Sequence, residues 1–160
     1  MKQTKLKTFA VVSACMMGML SSSAQGVMQR TANYHPDGRG FSCVNGNNRY
    51  TRALYGSVDE WRLETSDRPI FAIFKKNNHR NIRFVIKSNG QAFQLDSVEY
   101  CKARYEAGKR EYLMKDKRWG SGVLKLSVLA YPQTEGAVWK FAAENFGKAK
   151  IVIVGMICET

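Results

Sequence analysis

The chain has 160 residues, of which 25 are basic and 13 acidic, so its formal net charge is +12 at neutral pH. This length allows one domain with a hydrophobic core. The sequence has no low-complexity segment and no detectable internal repeat, which excludes a repeat architecture. So large a positive charge favours anionic partners, and the alternative is a basic surface that is only solvated.

The first 24 residues have the layout of a secretory signal peptide. Three lysines precede a mostly apolar, uncharged run over residues 8–20, and small residues follow up to Ala24. The run is shorter than the roughly 20 apolar residues of a membrane-spanning helix. We therefore predict cleavage after Ala24 and export to the periplasm, cell surface or medium of a bacterium, with residues 25–160 as the mature domain.

Cys15 offers a second interpretation of the same segment. Residues 12–15 match a bacterial lipobox, in which the cysteine would be acylated and would anchor the protein to a membrane. The apolar run continues past Cys15 to Leu20, whereas a lipoprotein usually turns polar there. Ordinary cleavage is favoured, and lipidation at Cys15 is the alternative.

Export also narrows the choice of anionic partner. Cleavage after Ala24 removes three lysines and no acidic residue, which leaves a net charge of +9. Anionic polysaccharide or an anionic membrane surface fits an exported protein of this charge, and nucleic acid is not expected.

The stretch over residues 41–56 reads as a β-hairpin. Residues 41–44 form one predicted strand, residues 45–48 the reversal, and residues 49–55 the returning strand, because Asn-Gly accepts the positive φ of a tight turn. Asn47 and Arg49, at the predicted tip, are candidate ligand contacts.

Most later apolar stretches alternate with polar residues at a period of two, as strands with one buried face do. This pattern covers residues 61–64, 82–87, 124–130 and 139–144, and glycine-rich turns separate the runs. The predicted fold is all-β: an antiparallel β-sandwich of nine or ten strands without a long helix.

Residues 151–154 form a continuous apolar run, which predicts a strand buried on both faces. The chain ends soon afterwards, and a bare apolar strand at the end of a domain leaves an aggregation-prone edge. We interpret the chain as a fragment of a longer protein with an incomplete, poorly soluble sandwich. The alternative is a final strand in the middle of its sheet.

Chemistry-bearing residues are few. His35 and His79 lack neighbours at metal-ligand spacing, and the sequence has neither a glycine-rich phosphate loop nor a nucleophile elbow. We predict no catalytic residue, metal or cofactor. Cys43 and Cys101 would pair if a disulfide forms in the exported protein. The alternative is that these two and Cys158 are all small buried apolar side chains.

Three tryptophans are candidate platforms for sugar rings. Trp61 and Trp139 follow the alternating core pattern. Trp119 lies between a basic pair and a glycine turn, so of the three it is the best candidate for an exposed position. With Arg118 beside it, Trp119 would suit a sugar that carries a carboxylate or sulfate.

Residues 37–56, 101–108 and 119–122 resemble family 4450 of the domains of unknown function. The resemblance implies a β-sandwich near the N-terminus of large secreted proteins that look like bacterial polysaccharide-degrading enzymes, where it precedes a helical toroid catalytic domain. That catalytic domain is absent from these 160 residues, and the resemblance supplies no catalytic residue.

The leading functional hypothesis is a non-catalytic, exported β-sandwich module of a glycan-degrading protein that contacts carbohydrate weakly. The first alternative is the N-terminal part of a glycoside hydrolase whose catalytic domain is missing here. The second is a stand-alone envelope lipoprotein anchored through Cys15.

Overall fold

The structure is a computed structural model that describes residues 33–47, 50–55, 61–75, 78–88, 90–131, 135–147 and 150–159. All of these belong to one compact unit, Ala32–Thr160. The predicted signal peptide and Cys15 lie outside the described residues, and so does Arg49.

The described residues form an all-β structure, as the period-two pattern predicts. They contain twelve strands, two or three more than expected, and short 3₁₀ helices at Leu95–Ser97 and Lys117–Trp119. The strands are β1 (His35–Asp37), β2 (Gly40–Val44), β3 (Tyr50–Tyr55), β4 (Trp61–Ser66), β5 (Ile70–Lys75), β6 (Asn78–Ser88), β7 (Gln91–Gln94), β8 (Tyr100–Glu106), β9 (Lys109–Lys115), β10 (Val123–Ala130), β11 (Ala137–Glu144) and β12 (Ile151–Glu159).

Two antiparallel sheets make up the sandwich. Sheet A has the strand order β1-β2-β8-β9-β10-β11, and sheet B has the order β12-β6-β5-β4-β3. The short strand β7 also pairs with β6, next to the segment that pairs with β5. Since β12 pairs with β6 from Arg80 to Ser88, β6 is hydrogen-bonded along both of its edges.

The core lies between the two sheets and is rich in aromatic residues. Phe71 of sheet B meets Tyr112 of sheet A edge-on, with ring centroids 5.8 Å apart. Phe84 and Phe141 form a second such pair at 5.1 Å. Fully buried apolar side chains surround them, and each Val, Leu, Ile or Met among these contributes roughly 1.5–3 kcal/mol through burial. They include Leu54, Leu63, Ile86, Leu95, Cys101, Ala103, Met114, Leu124, Leu126 and Val128.

The predicted hairpin over residues 41–55 is wrong. β2 pairs with β1 and β8 in sheet A, whereas β3 pairs with β4 in sheet B, so the chain crosses between sheets here. Asn45 has the expected positive φ of 50°. Its backbone N–H donates to the Cys101 carbonyl (2.8 Å), and its side-chain oxygen accepts from the Cys101 N–H (2.9 Å). These two bonds hold Asn45 against β8, so the chain does not turn back here to pair with β2.

The prediction that residues 151–154 are buried on both faces is also wrong. β12 is the last strand of sheet B in the described part of the chain. Val152 and Val154 point away from the core and are 52% and 48% exposed, while Ile151 and Ile153 pack against the core. The continuous apolar run therefore covers one inner face and one outer face.

No helix among the described residues is both long enough and apolar enough to cross a membrane.

Candidate functional site

Trp119 is buried, so it is not the exposed platform for which it was the best candidate among the three tryptophans. Its residue exposure is 5%. The indole packs edge-on against Phe93 and Phe146, with ring centroids 5.9 and 5.4 Å away. Phe93 lies on β7, which pairs with β6 of sheet B. The indole of Trp119 thus reaches sheet B from the 3₁₀ helix between β9 and β10. The glycine turn beside Trp119 positions a core side chain here.

Arg118 is held by Asp116 and by Phe93. Its guanidinium makes two hydrogen bonds to the Asp116 carboxylate, both of 2.6 Å, and its Cζ lies 3.3 Å from the centroid of the Phe93 ring. Asp116 also accepts from the backbone N–H groups of Glu99 and Arg118. The hydrogen bonds from Arg118 are the main reason why the pKa of Asp116 is lowered. This arrangement caps the turn and fixes Arg118.

Arg68, in the loop between β4 and β5, is hydrogen-bonded to the loop after β2 and to the loop before β8. Its Nε donates to the Gly46 carbonyl at 3.1 Å, and its Nη1 donates to the carbonyls of Asp96 (3.0 Å) and Val98 (2.7 Å). Asn47, the exposed candidate ligand contact, directly follows Gly46. The segment that carries Asn47 is thus tied to the loop before β8, while Arg118 and Trp119 meet at Phe93.

A buried polar cluster adjoins Arg68, since it includes Ser66 and Asp67. Arg110, which is fully buried, donates through Nη2 to the Tyr34 hydroxyl (2.6 Å) and the Ser66 carbonyl (2.9 Å). Tyr34 also bonds to the Asp67 carboxylate, which forms an ion pair with Arg110 at 3.7 Å. Tyr112 donates to the same Ser66 carbonyl at 2.7 Å.

Sequence analysis missed this cluster. The signal was present in β9, where Arg110 alternates with the core residues Tyr112 and Met114 and therefore points inward. Its Nε and Nη1 have no hydrogen-bond partner among the described residues. A buried guanidinium is costly unless it is paired, so we assign the bonds to Tyr34, Ser66 and Asp67 a structural role.

Cys43 and Cys101 lie close to this cluster and are free, buried thiols in the structure. Cys43 is opposite Ala103 in the β2–β8 pair, and Asn45 is opposite Cys101, so the two cysteines occupy diagonal positions on one face. Burial raises the pKa of Cys43, and it raises the pKa of Cys101 to about 12. The disulfide stays a prediction.

The outer face of sheet A carries both basic and acidic side chains. Arg104 lies at its centre and forms ion pairs with Asp37, Glu106 and Glu111 at 3.8, 2.8 and 3.2 Å. Further pairs join Lys102 to Asp37, Lys109 to Glu111, and Lys125 to Glu144. These contacts pair most of the charges on this face, whereas Lys115 and Lys140 form no ion pair in the part of the chain that the structure describes.

The outer face of β6, β7 and β12 in sheet B has a different composition. Arg83 and Lys87 are the charged residues among its outward side chains, and none of these side chains is a carboxylate. The outward side chains are Asn81, Arg83, Val85, Lys87, Ala92, Gln94, Val152, Val154, Met156 and Cys158. Arg83 and Lys87 take part in no ion pair among the described residues. Arg83 donates to the Gln94 side-chain oxygen at 3.0 Å. We call Arg83, Lys87, Gln94, Val152 and Val154 the basic face.

No group of three or more His, Cys, Asp or Glu side chains in the described ranges could hold a metal ion.

Comparison with known proteins gives one family match. The model of the domain of unknown function DUF4450 matches residues 78–155. The matched span contains residues 101–108 and 119–122, and it contains the whole basic face, but it begins after residues 37–56. No curated protein and no solved structure matches the chain. The family match thus supports the predicted resemblance to this family of domains of unknown function.

Proposed function

We propose that residues 25–160 act as a non-catalytic, exported β-sandwich module that contacts an anionic polysaccharide in bacterial polysaccharide degradation. The observation that carries the proposal is the outer face of β6, β7 and β12, where Arg83 and Lys87 stand without a neighbouring outward carboxylate. A positive surface of this kind attracts polyanions. The link to polysaccharide degradation rests on the family resemblance.

Several polar side chains that could otherwise bind a ligand are occupied by hydrogen bonds within the protein, which favours the outer surface as the binding site. Asp116 and Arg118 hold each other, and Arg110 is bonded to Tyr34 and Ser66. Groups committed to such bonds stabilise the fold and are poorly placed to take up a ligand. The ligand contact is therefore moved from Trp119 and Arg118, where the sequence predicted it, to the basic face of sheet B.

Thermal unfolding with and without polysaccharide tests this proposal, because a ligand that binds only the folded state raises the melting temperature. We expect polygalacturonate or chondroitin sulfate to raise it and neutral dextran to leave it unchanged. Salt should reduce the shift, since it screens exposed charges. An equal melting temperature in all of these solutions would refute polysaccharide binding.

Two further experiments address the alternative functions. Release of reducing sugar by the purified chain would instead indicate a glycosidase, and continuation of the reading frame beyond codon 160 into a helical domain would favour the glycoside hydrolase alternative. The mass of the mature N-terminal peptide separates cleavage after Ala24 from acylation at Cys15.

A further inference from the structure

We propose that a linear, polyanionic glycan lies along β6, with Arg83 and Lys87 as the cations that anchor it. This inference rests on the function proposed above. Both residues are on one strand and on the same face.

The spacing of the two cations determines what can bind both of them. They are four residues apart in an extended strand, so their Cα atoms are separated by about 13 Å at roughly 3.3 Å per residue. An extended molecule with two anionic groups can pair each group with one of these cations across that distance. A single anion would have to draw both long side chains together, so an extended ligand fits the two cations better.

The surroundings of Arg83 favour an anion with at least two oxygen atoms that can accept from the guanidinium. Gln94 accepts one hydrogen bond from Nη1 of Arg83 at 3.0 Å, which fixes the guanidinium on the surface. The remaining N–H groups form a fork that matches a carboxylate or sulfate. Because Gln94 is an amide, it orients Arg83 without cancelling its charge.

An apolar strip runs beside the cations. Val152 is opposite Lys87 and Val154 is opposite Val85 in the β6–β12 pair, and neighbouring strands are about 4.8 Å apart. Both valines are about half exposed. A sugar ring presents apolar C–H groups as well as polar ones, so the ring can cover the valines while its acidic group reaches β6. Such burial is favourable.

Binding of chondroitin sulfate, polygalacturonate and monomeric galacturonate to the exported protein tests the path. We compare Lys87→Gln and Arg83→Gln with Lys140→Gln, which removes an exposed cation of sheet A that also lacks a carboxylate partner among the described residues. All three lower the net charge by one, so a general charge effect would be equal in each. Melting temperatures measured without ligand establish that the variants are folded.

We expect Lys87→Gln and Arg83→Gln each to weaken binding of at least one polymer about five-fold, roughly the value of one exposed charge contact, and Lys140→Gln to stay within about two-fold. Monomeric galacturonate should compete poorly.

Each contrary result has a distinct meaning. If no polymer binds the wild-type protein, the proposed function fails together with this path. If a polymer binds and all three variants weaken it equally, polysaccharide binding stands and the path along β6 is overturned. If the monomer competes as well as the polymer, or if phosphatidylglycerol vesicles bind more tightly than both polymers and depend on Lys87, the linear glycan is the wrong ligand.

Discussion

Arg110 and Tyr34 come from distant parts of the chain, and a 2.6 Å hydrogen bond from the Arg110 guanidinium to the Tyr34 hydroxyl joins them inside the sandwich. Arg110 lies in β9, whereas Tyr34 immediately precedes β1. The bond therefore fastens the start of the described domain to the middle of sheet A.

We expect Tyr34→Phe to lower the free energy of unfolding by about 1–3 kcal/mol, because it takes an acceptor away from a fully buried guanidinium. Urea denaturation measures this change. Tyr131→Phe, at an exposed position, is the control and should change stability by less than about 0.5 kcal/mol. An equal effect of the two substitutions would contradict the structural role of Arg110.

Gly46 is predicted to tolerate no side chain. A Cβ built there would be 2.3 Å from the Cβ of Asp67, in the segment held by Arg68. We expect Gly46→Ala to destabilise the protein by about 1–3 kcal/mol, as overpacking does. At Gly136 the nearest atom is 3.4 Å from such a Cβ, so Gly136→Ala serves as the control in the same denaturation experiment. A harmless Gly46→Ala would mean that the 45–47 segment can move away from Asp67.

Asp116 should make stability depend on pH in the acid range. Its pKa is lowered below the ordinary value of 3.8, chiefly by the hydrogen bonds from the Arg118 side chain. The folded state then binds the proton less readily than the unfolded state. The stability due to Asp116 is fully present above pH 3.8 and is lost as the pH falls towards the lowered pKa.

We expect Asp116→Asn to cost about 1.5–3 kcal/mol at neutral pH, since it weakens hydrogen bonds to a charged group. The stability difference from the wild type should shrink below about pH 4. Urea denaturation over a series of pH values measures this difference. The control is Glu144→Gln, which alters an exposed ion pair with Lys125; a constant gap for Asp116→Asn at every pH would contradict the assignment.

The cysteines should differ in their reactivity with iodoacetamide. The thiolate is the reactive form, and burial raises the pKa of Cys43 and Cys101, whereas Cys158 is only partly buried. We expect peptide mass spectrometry to find Cys158 alkylated first and the other two only after unfolding. Resistance of Cys43 and Cys101 in the unfolded, unreduced protein would reveal the predicted disulfide.

The edge strand β12 should promote association between molecules. Residues 151–158 contain no charged residue, and Ile157 is 72% exposed. Charged residues on edge strands oppose aggregation, so we expect Ile157→Lys to raise the protein concentration at which light scattering begins. Leu129→Lys, at an exposed apolar position away from that edge, is the control. If both substitutions raise this concentration equally, the effect comes from net charge and not from the edge of β12.

Sequence periodicity was sufficient to predict the class of fold. Ile82, Phe84 and Ile86 are buried as their alternation with Arg83 and Lys87 predicts, because a strand presents successive side chains to opposite faces. The partners of each strand were not predictable in the same way. Asn45-Gly46 has the composition of a hairpin turn, yet contacts with Cys101 and Asp67, which are distant in sequence, determine its path.

The site was predicted less well than the fold. Trp119 is next to a glycine turn, which suggests exposure, but Phe93 and Phe146 cover it from other elements. Pairing of charges likewise depends on which strands become neighbours. Sequence alone could not distinguish Arg104, surrounded by carboxylates, from Lys87, which has none among the described residues.

The double pairing of β6 has a dynamic consequence. Its backbone is bonded to β12 on one edge and to β5 and β7 on the other, so fraying of any one neighbour leaves the opposite edge intact. Successive N–H groups of a strand point to opposite edges, so the amide protons of β6 that donate to β5 or β7 should stay protected from exchange with deuterated solvent when β12 frays. The strand that holds Arg83 and Lys87 would then keep its shape while the edge of the sheet opens, which makes it a rigid support for an extended ligand.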